Sequence, residues 1–357
     1  MLSYFIPLIF LSMLSFLESI NKFSILLKSK FLYFFVFIIF LIFICFRDQI
    51  GCDWHVYEKT FRRISSYDLN YLIKNRGEFF DWGYLTLAKI VSYKFDNSIL
   101  ILLYGLFFTI PLFILCYSIK RTYLSLLIAY PYFIVLVGMG PIRQAASIGF
   151  LILSVLLISK RKQLLGYFFS LLSILFHQSA FLINSLIILI TNRFTNRKND
   201  IFIKTALYII IFVLFISNAN LIFAKLYAYI NVNNHNANGA IFVWMLNFFP
   251  STFYLVFEKK FNFEPSIKKF IKLFSIFVII NLPIIFFRSV ISYRLLLYSF
   301  PSSIYIVSYF PEVKFFGDNK SYITLFIILS SFLSLFVWLK FAYHSYCWIP
   351  YQNILIK

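Results

Sequence analysis

The stretch QLLGYFFSLLSILFHQSAFLINSLIILI, residues 163–190, decides how this chain folds. It is apolar almost throughout and longer than the roughly 20 residues that one upright membrane crossing needs. His177-Gln178-Ser179 stands at its centre. Read as one crossing, it sets Arg193, Arg197, Lys198 and Lys204 on the opposite side from Lys160, Arg161 and Lys162. Read as a hairpin of two short, tilted helices turning at His177–Ser179, it puts all seven bases on one side. Cytoplasmic loops gather Lys and Arg, so the sequence predicts the hairpin.

Composition explains why membrane crossings are the question. The 357 residues are 61 % hydrophobic, 22 % aromatic and 13 % charged, with a mean hydropathy of +0.85. A soluble domain carries about 45–50 % apolar and about 25 % charged residues, and no surface-to-volume ratio at this length hides the excess. A cytosolic enzyme, a secreted disulfide scaffold and a disordered chain are excluded. A β-barrel is excluded because the apolar runs are continuous rather than alternating. Further runs lie near 3–20, 31–46, 98–119, 122–138, 142–159, 201–218, 240–257, 271–287, 293–310 and 321–340. The expected fold class is therefore an all-α polytopic membrane bundle of 11–12 helices, a single domain over 1–357. With the hairpin there are twelve crossings and both termini lie outside. The opening MLSYFIPLIF lacks the basic n-region of a cleaved signal peptide and reads as the first spanning helix. One long polar stretch, 47–97, reads as a periplasmic loop; it holds Asp48, Asp53, Glu58, Asp68, Glu78, Asp81 and Asp96, seven of the thirteen acids.

The net charge of +20 arises from 33 Lys+Arg against 13 Asp+Glu. In a soluble chain it would point to nucleic acid; here it marks the inner loops, and nucleic acid is not an expected partner. More than half of the bases fall there, beside only Asp200, Glu258, Glu264, Glu312 and Asp318. Cys45, Cys52, Cys116 and Cys347 show no metal-ligand spacing, so no metal is expected. Cys52 and Cys347 are able to pair if both face an oxidising compartment. Trp54, Trp82, Trp348 and Tyr351 fall where an outer aromatic belt is expected.

A base in a short outer loop needs another explanation. Gly138-Met139-Gly140-Pro141 breaks one helix, and Arg143 falls in the first turn of the next. A cation at a helix N-terminus is disfavoured by about 0.3–1 kcal/mol unless an anion joins it, while free N–H groups plus a guanidinium suit phosphate. The bland alternative is snorkelling to lipid headgroups. Arg294 is expected to repeat this geometry at the start of a later helix. Arg288 and Arg47 close the helices before them, where a cation suits the dipole. The neighbourhood of Arg47, with Asp48, Asp53, Trp54, His55 and Tyr57, is dense in polar groups at the membrane edge, as a sugar and phosphate site would be. His177 lies at membrane depth, where ionisable residues face a cavity or a partner, and imidazole suits proton transfer near neutrality. Apart from Glu18, no acid lies within a spanning run, which argues against an ion-coupled transporter and against a two-metal site.

Taken in order, these positions resemble the EpsG-like, Wzy-type polysaccharide polymerases. The resemblance rests on Phe46-Arg47, Gly51, Asp53 and Tyr57; on Asp81-Trp82-Gly83-Tyr84, where the family often has Glu; and on Ile142-Arg143-Gln144. It continues through Phe176-His177-Gln178-Ser179-Ala180, Arg294 with Tyr298, and Trp348-Ile349-Pro350-Tyr351. It implies a glycosyltransferase of the bacterial inner membrane, active on the periplasmic face. Such an enzyme moves a growing glycan from undecaprenyl diphosphate to a lipid-linked repeat unit. By that resemblance Arg143 and Arg294, aided by Arg47 and Arg288, hold the diphosphate without metal or other cofactor. His177, then Asp53, receives the acceptor proton, and Tyr57, Asp81, Gln144, Tyr298 and Tyr351 line the substrate. The implied partners are the lipid-linked oligosaccharide and the bilayer, with a chain-length regulator and a flippase. A lipid-linked oligosaccharide flippase and an O-antigen ligase are the alternatives. Two-halves symmetry or membrane acids would favour the flippase, and neither is visible.

Overall fold

A computed structural model describes residues 1–20, 24–75, 81–191, isolated positions between 205 and 227, 239–313 and 319–355. Among them the regular structure is helical, with a single isolated antiparallel bridge between Arg47 and Asn353. Each described apolar run became helix. In chain order these are α1 (Leu2–Ser19), α2 (Lys30–Cys45), α3 (Trp54–Ser66), α4 (Leu69–Lys74), α5 (Trp82–Ser92) and α6 (Asn97–Ser118). Then come α7 (Thr122–Ala129, continued as a π-helix over Tyr130–Val137), α8 (Ile142–Ser159), α9 (Gln163–Phe176), α10 (Ala180–Thr191) and α11 (Ala240–Val256). The chain ends with α12 (Pro265–Ile280), α13 (Leu282–Phe287), α14 (Ser289–Leu296), α15 (Phe300–Tyr309) and α16 (Lys320–Phe341). Among the described residues, six helical stretches are long and apolar enough to cross a membrane, and four more apolar helices are shorter. Most of the run 201–218, and the bases Arg193, Arg197, Lys198 and Lys204, lie outside the described residues.

The hairpin forms where the sequence places it. α9 stops at Phe176, and His177 has an extended backbone (φ −156°, ψ 123°). The two helices then run back along each other. Ser170 Oγ donates to Asn184 Oδ1 (2.6 Å), and Asn184 Nδ2 donates to Ser173 Oγ (3.2 Å) and Ala180 O (2.9 Å). Small polar residues let helices approach and bond where no water competes.

The polar stretch 47–97 is helical rather than a plain loop. In α3, Trp54, Tyr57, Phe61 and Ile64 recur at helical spacing and are buried, so one face packs while the charged face stays out. Asp68 and Asp96 accept from the backbone N–H groups of Tyr71 and Ser98, both at 3.0 Å, and so start α4 and α6.

The contacts divide the chain into two compact units, Met1–Gly149 with Val307–Lys357, and Phe150–Ile306. In the first unit α2 packs on α6 through Tyr33, Phe37, Phe40 and Phe113. An ionic knot closes one end of this unit. Arg121 Nε and Nη2 donate to Glu312 Oε1 (2.9 and 2.6 Å), Lys120 donates to Glu312 Oε2 (2.6 Å), and Arg121 Nη1 reaches Glu18 O (2.8 Å). In the second unit α11 and α12 pair through Trp244 Nε1, which donates to Val278 O (3.1 Å). Ser303 Oγ of α15 donates to Asn247 Oδ1 of α11 (2.7 Å).

Candidate functional site

In the first unit, Gly138–Pro141 interrupts the helical path and α8 starts at Ile142, so Arg143 occupies its first turn as expected. The anion that such a cation needs is inside the protein. Arg143 Nη1 donates to Asp81 Oδ2 in a pair whose side chains are 16 % and 4 % exposed. Asp81 is the N-cap of α5, and its Oδ1 is buried without a hydrogen-bond partner among the described residues. Tyr57 lies within reach of Arg143; burial pushes its phenol above the usual range, and Arg143 pulls it back. Tyr84 fixes this corner by donating to Tyr57 O (3.0 Å). Gln144 is 2 % exposed in the same turn.

The 46–53 segment is held by the chain's C-terminal end. Asp48 N–H donates to Gln352 O (3.0 Å), Ile354 N–H to Phe46 O (2.8 Å) and Gly51 N–H to Cys347 O (2.9 Å). A Cys52–Cys347 disulfide joins the same two segments. Gly51 has φ +98°, and a Cβ there would lie 2.6 Å from Met139 O. Only glycine fits this loop against the break that precedes Arg143. Trp348 and Trp54 are buried rather than part of an interfacial belt, because the Trp348 indole N–H finds Val135 O (2.9 Å) and Trp54 packs on the inner face of α3. Tyr351, expected against substrate, donates to Phe43 O (2.8 Å) and stacks on the Phe43 ring at 4.7 Å.

Arg47 lies beneath this clasp with 0 % exposure. Its Nη1 donates to Ile44 O (2.5 Å), while Nε and Nη2 are buried without a hydrogen-bond partner among the described residues. Burial lowers its pKa to about 10. Asp53, by contrast, is exposed at the N-cap of α3.

In the second unit, His177 is 8 % exposed at the hairpin turn. Its Nδ1 meets the Ser179 backbone N–H (3.2 Å) and Ser179 Oγ (2.7 Å), and Ser179 Oγ lies 3.1 Å from Tyr298 Oη. Tyr298 is fully buried. The sequence had paired His177 and Tyr298 only as members of one motif set; Ser179 is the group that joins them. Arg288 caps the end of α13 as expected. Arg294 does not open a helix. α14 begins at Ser289, with no breaker between Arg288 and Arg294, so Arg294 falls in its last turn. Its proposed anion contact therefore draws nothing from a helix N-terminus. Among the described residues no three His, Cys, Asp or Glu side chains cluster as metal ligands would.

An all-helical, multi-pass apolar chain with buried arginines and an imidazole at its helix breaks defines a membrane protein built around polar sites rather than a simple anchor. The EpsG family model matches residues 30–353, nearly the whole chain. The chain belongs to the EpsG family and is a membrane protein of the polysaccharide-polymerase type. No curated protein and no solved structure matches it.

Proposed function

We propose that the protein is a glycosyltransferase that polymerises lipid-linked oligosaccharide on the periplasmic face of a bacterial inner membrane, handing a growing glycan from undecaprenyl diphosphate to a lipid-linked repeat unit. The observation that carries this reading is the largely buried Arg143–Asp81 pair at the start of α8, in a chain of the polysaccharide-polymerase type. Breaking a glycosyl–diphosphate bond develops negative charge on the leaving oxygen, and preorganised cations in a dry site stabilise it. Arg143 and Arg294 are assigned that task, with Arg47 and Arg288 in support. Asp81, by sharing Arg143, holds the guanidinium in place until a phosphate competes for it. His177 and Asp53 are assigned to the reacting groups, with Asp53 able to take the acceptor proton. Tyr57, Gln144, Tyr298 and Tyr351 shape the surroundings, Tyr351 through the packing of the C-terminal clasp.

The test is the glycan ladder. Arg294→Ala, well expressed, should replace long surface glycan with core carrying a single repeat. Naked core would favour a flippase, polymer stranded on its lipid carrier would favour a ligase, and a normal ladder would remove Arg294 from the site.

A further inference from the structure

Ser179 presents two donors to one ring nitrogen. Its backbone N–H points at His177 Nδ1 from 3.2 Å, and its hydroxyl lies 2.7 Å from the same atom. A hydroxyl can turn to donate or accept, but a backbone N–H is a donor only. If Nδ1 carried a proton, that proton would face the amide hydrogen. Nδ1 is therefore the bare nitrogen, and the proton of the neutral ring sits on Nε2. The one hydrogen of the Ser179 hydroxyl then goes to Nδ1 as well, and the Tyr298 hydroxyl, 3.1 Å away, is left to donate to Ser179 Oγ. The single lone pair that makes imidazole a base is engaged by Ser179 before any substrate arrives.

We propose that Ser179 is a positioning residue that holds His177 as the Nε2–H tautomer, so that His177 acts as a hydrogen-bond donor to an anionic substrate oxygen and not as the base. This rests on the polymerase reading above. In the transfer, the bond from the sugar carbon to the diphosphate oxygen breaks and its electron pair stays on that oxygen. The acceptor oxygen bonds to the carbon and its proton passes to a carboxylate, for which Asp53 is the candidate. The Nε2 proton of His177 is shared with the charged oxygen and is not consumed.

Two measurements test this. In a variant whose remaining histidines are replaced (His55→Asn, His235→Asn, His344→Asn), 15N spectra of the labelled imidazole read the tautomer directly. The expected spectrum has an unprotonated Nδ1 and a protonated Nε2 near neutral pH, with Ser179→Ala moving the ring toward a mixture. A protonated Nδ1 in the parent overturns the proposal. For the role itself, the amide nitrogen of His177→Gln stands near Nε2 and can donate but cannot act as a base. Losing one such donor costs about 10²–10³ in rate, so His177→Ala should fall by that factor and His177→Gln should recover at least about tenfold of it. Equal loss in both variants, or no loss in either, overturns the donor role. If instead the polymerase reading is wrong, the variants at 143, 177 and 294 give naked core, polymer stranded on its lipid carrier or an unchanged ladder rather than a single repeat, while the ring spectrum still reports the tautomer, which separates the two failures.

Discussion

Arg143 and Asp81, 62 residues apart, form an ion pair whose carboxylate side chain is 4 % exposed. Removing one partner of a buried pair strands a charge and costs about 3–5 kcal/mol, whereas replacing both with apolar side chains is often neutral or stabilising. Asp81→Asn should therefore lower the thermal midpoint of the purified protein, and Arg143→Met with Asp81→Leu should restore most of it. Polymer should be absent from the double variant if Arg143 also serves the diphosphate, and shortened in Asp81→Asn, which keeps the guanidinium but frees it from its anchor. A stable double variant that still makes long glycan would show the pair to be purely structural.

Most of the helical frame was legible in the sequence because continuous apolar runs and the His177 break are local signals. α1, α2, α6, α8 and α16 begin and end within about two residues of the runs that announced them, well inside ordinary boundary disagreement. The partner of Arg143 was not legible. Thirty-three bases and thirteen acids allow many pairings, and only the packing of α5 near the start of α8 selects Asp81. The clasp was hidden for the same reason. Its two segments are irregular and separated by 295 residues at the disulfide, so neither has a periodicity that names the other. Trp348 read as an interfacial residue until its indole N–H met Val135 O. Arg294 was misplaced because a helix start with no Pro, Gly or capping signature is easily set a turn too late.

The clasp gives orientation a chemical test that does not depend on counting charges. Disulfides persist in oxidising compartments, so Cys52 and Cys347 should label with a membrane-impermeant maleimide added outside cells only after reduction. Reporter fusions near Met139 should read periplasmic, and those after Ser159 and Lys260 cytoplasmic. Labelling of Cys52 from the cytoplasmic side would invert the topology and remove Arg143 from the periplasmic face.

Metal independence follows from the chemistry assigned to the arginines. A guanidinium neutralises phosphate charge at fixed geometry without a divalent ion, and apart from Glu18 the spanning runs hold no acids. Purified protein supplied with lipid-linked repeat should polymerise in excess EDTA. Complete loss of activity that Mg²⁺ or Mn²⁺ restores would overturn the arginine account of the leaving group.

Arg47 offers the sharpest separation of stability from function. It is the largest fully buried side chain of the chain's described residues, and only its Nη1 donates, to Ile44 O. Burial holds its folded pKa at about 10, below the ordinary arginine value. A base whose pKa drops on folding is one whose charged form the fold disfavours, so its charge costs stability at every pH below about 10 and the cost fades as the pH rises through that value. A residue kept only for packing would not be a cation here. Arg47→Met fills the same space without the desolvated charge, and replacing buried ionic groups by apolar side chains has stabilised proteins by about 1–4 kcal/mol. The expected outcome at pH 7 is a higher thermal midpoint together with shortened glycan, and the stability gain should shrink above pH 10. Arg47→Lys should keep the cost of burial yet fail to restore full length, because an ammonium cannot reproduce the guanidinium fork. A destabilised Arg47→Met variant would mean that the cation is part of the clasp's own bonding, and a stabilised variant with full-length glycan would take Arg47 out of the diphosphate site.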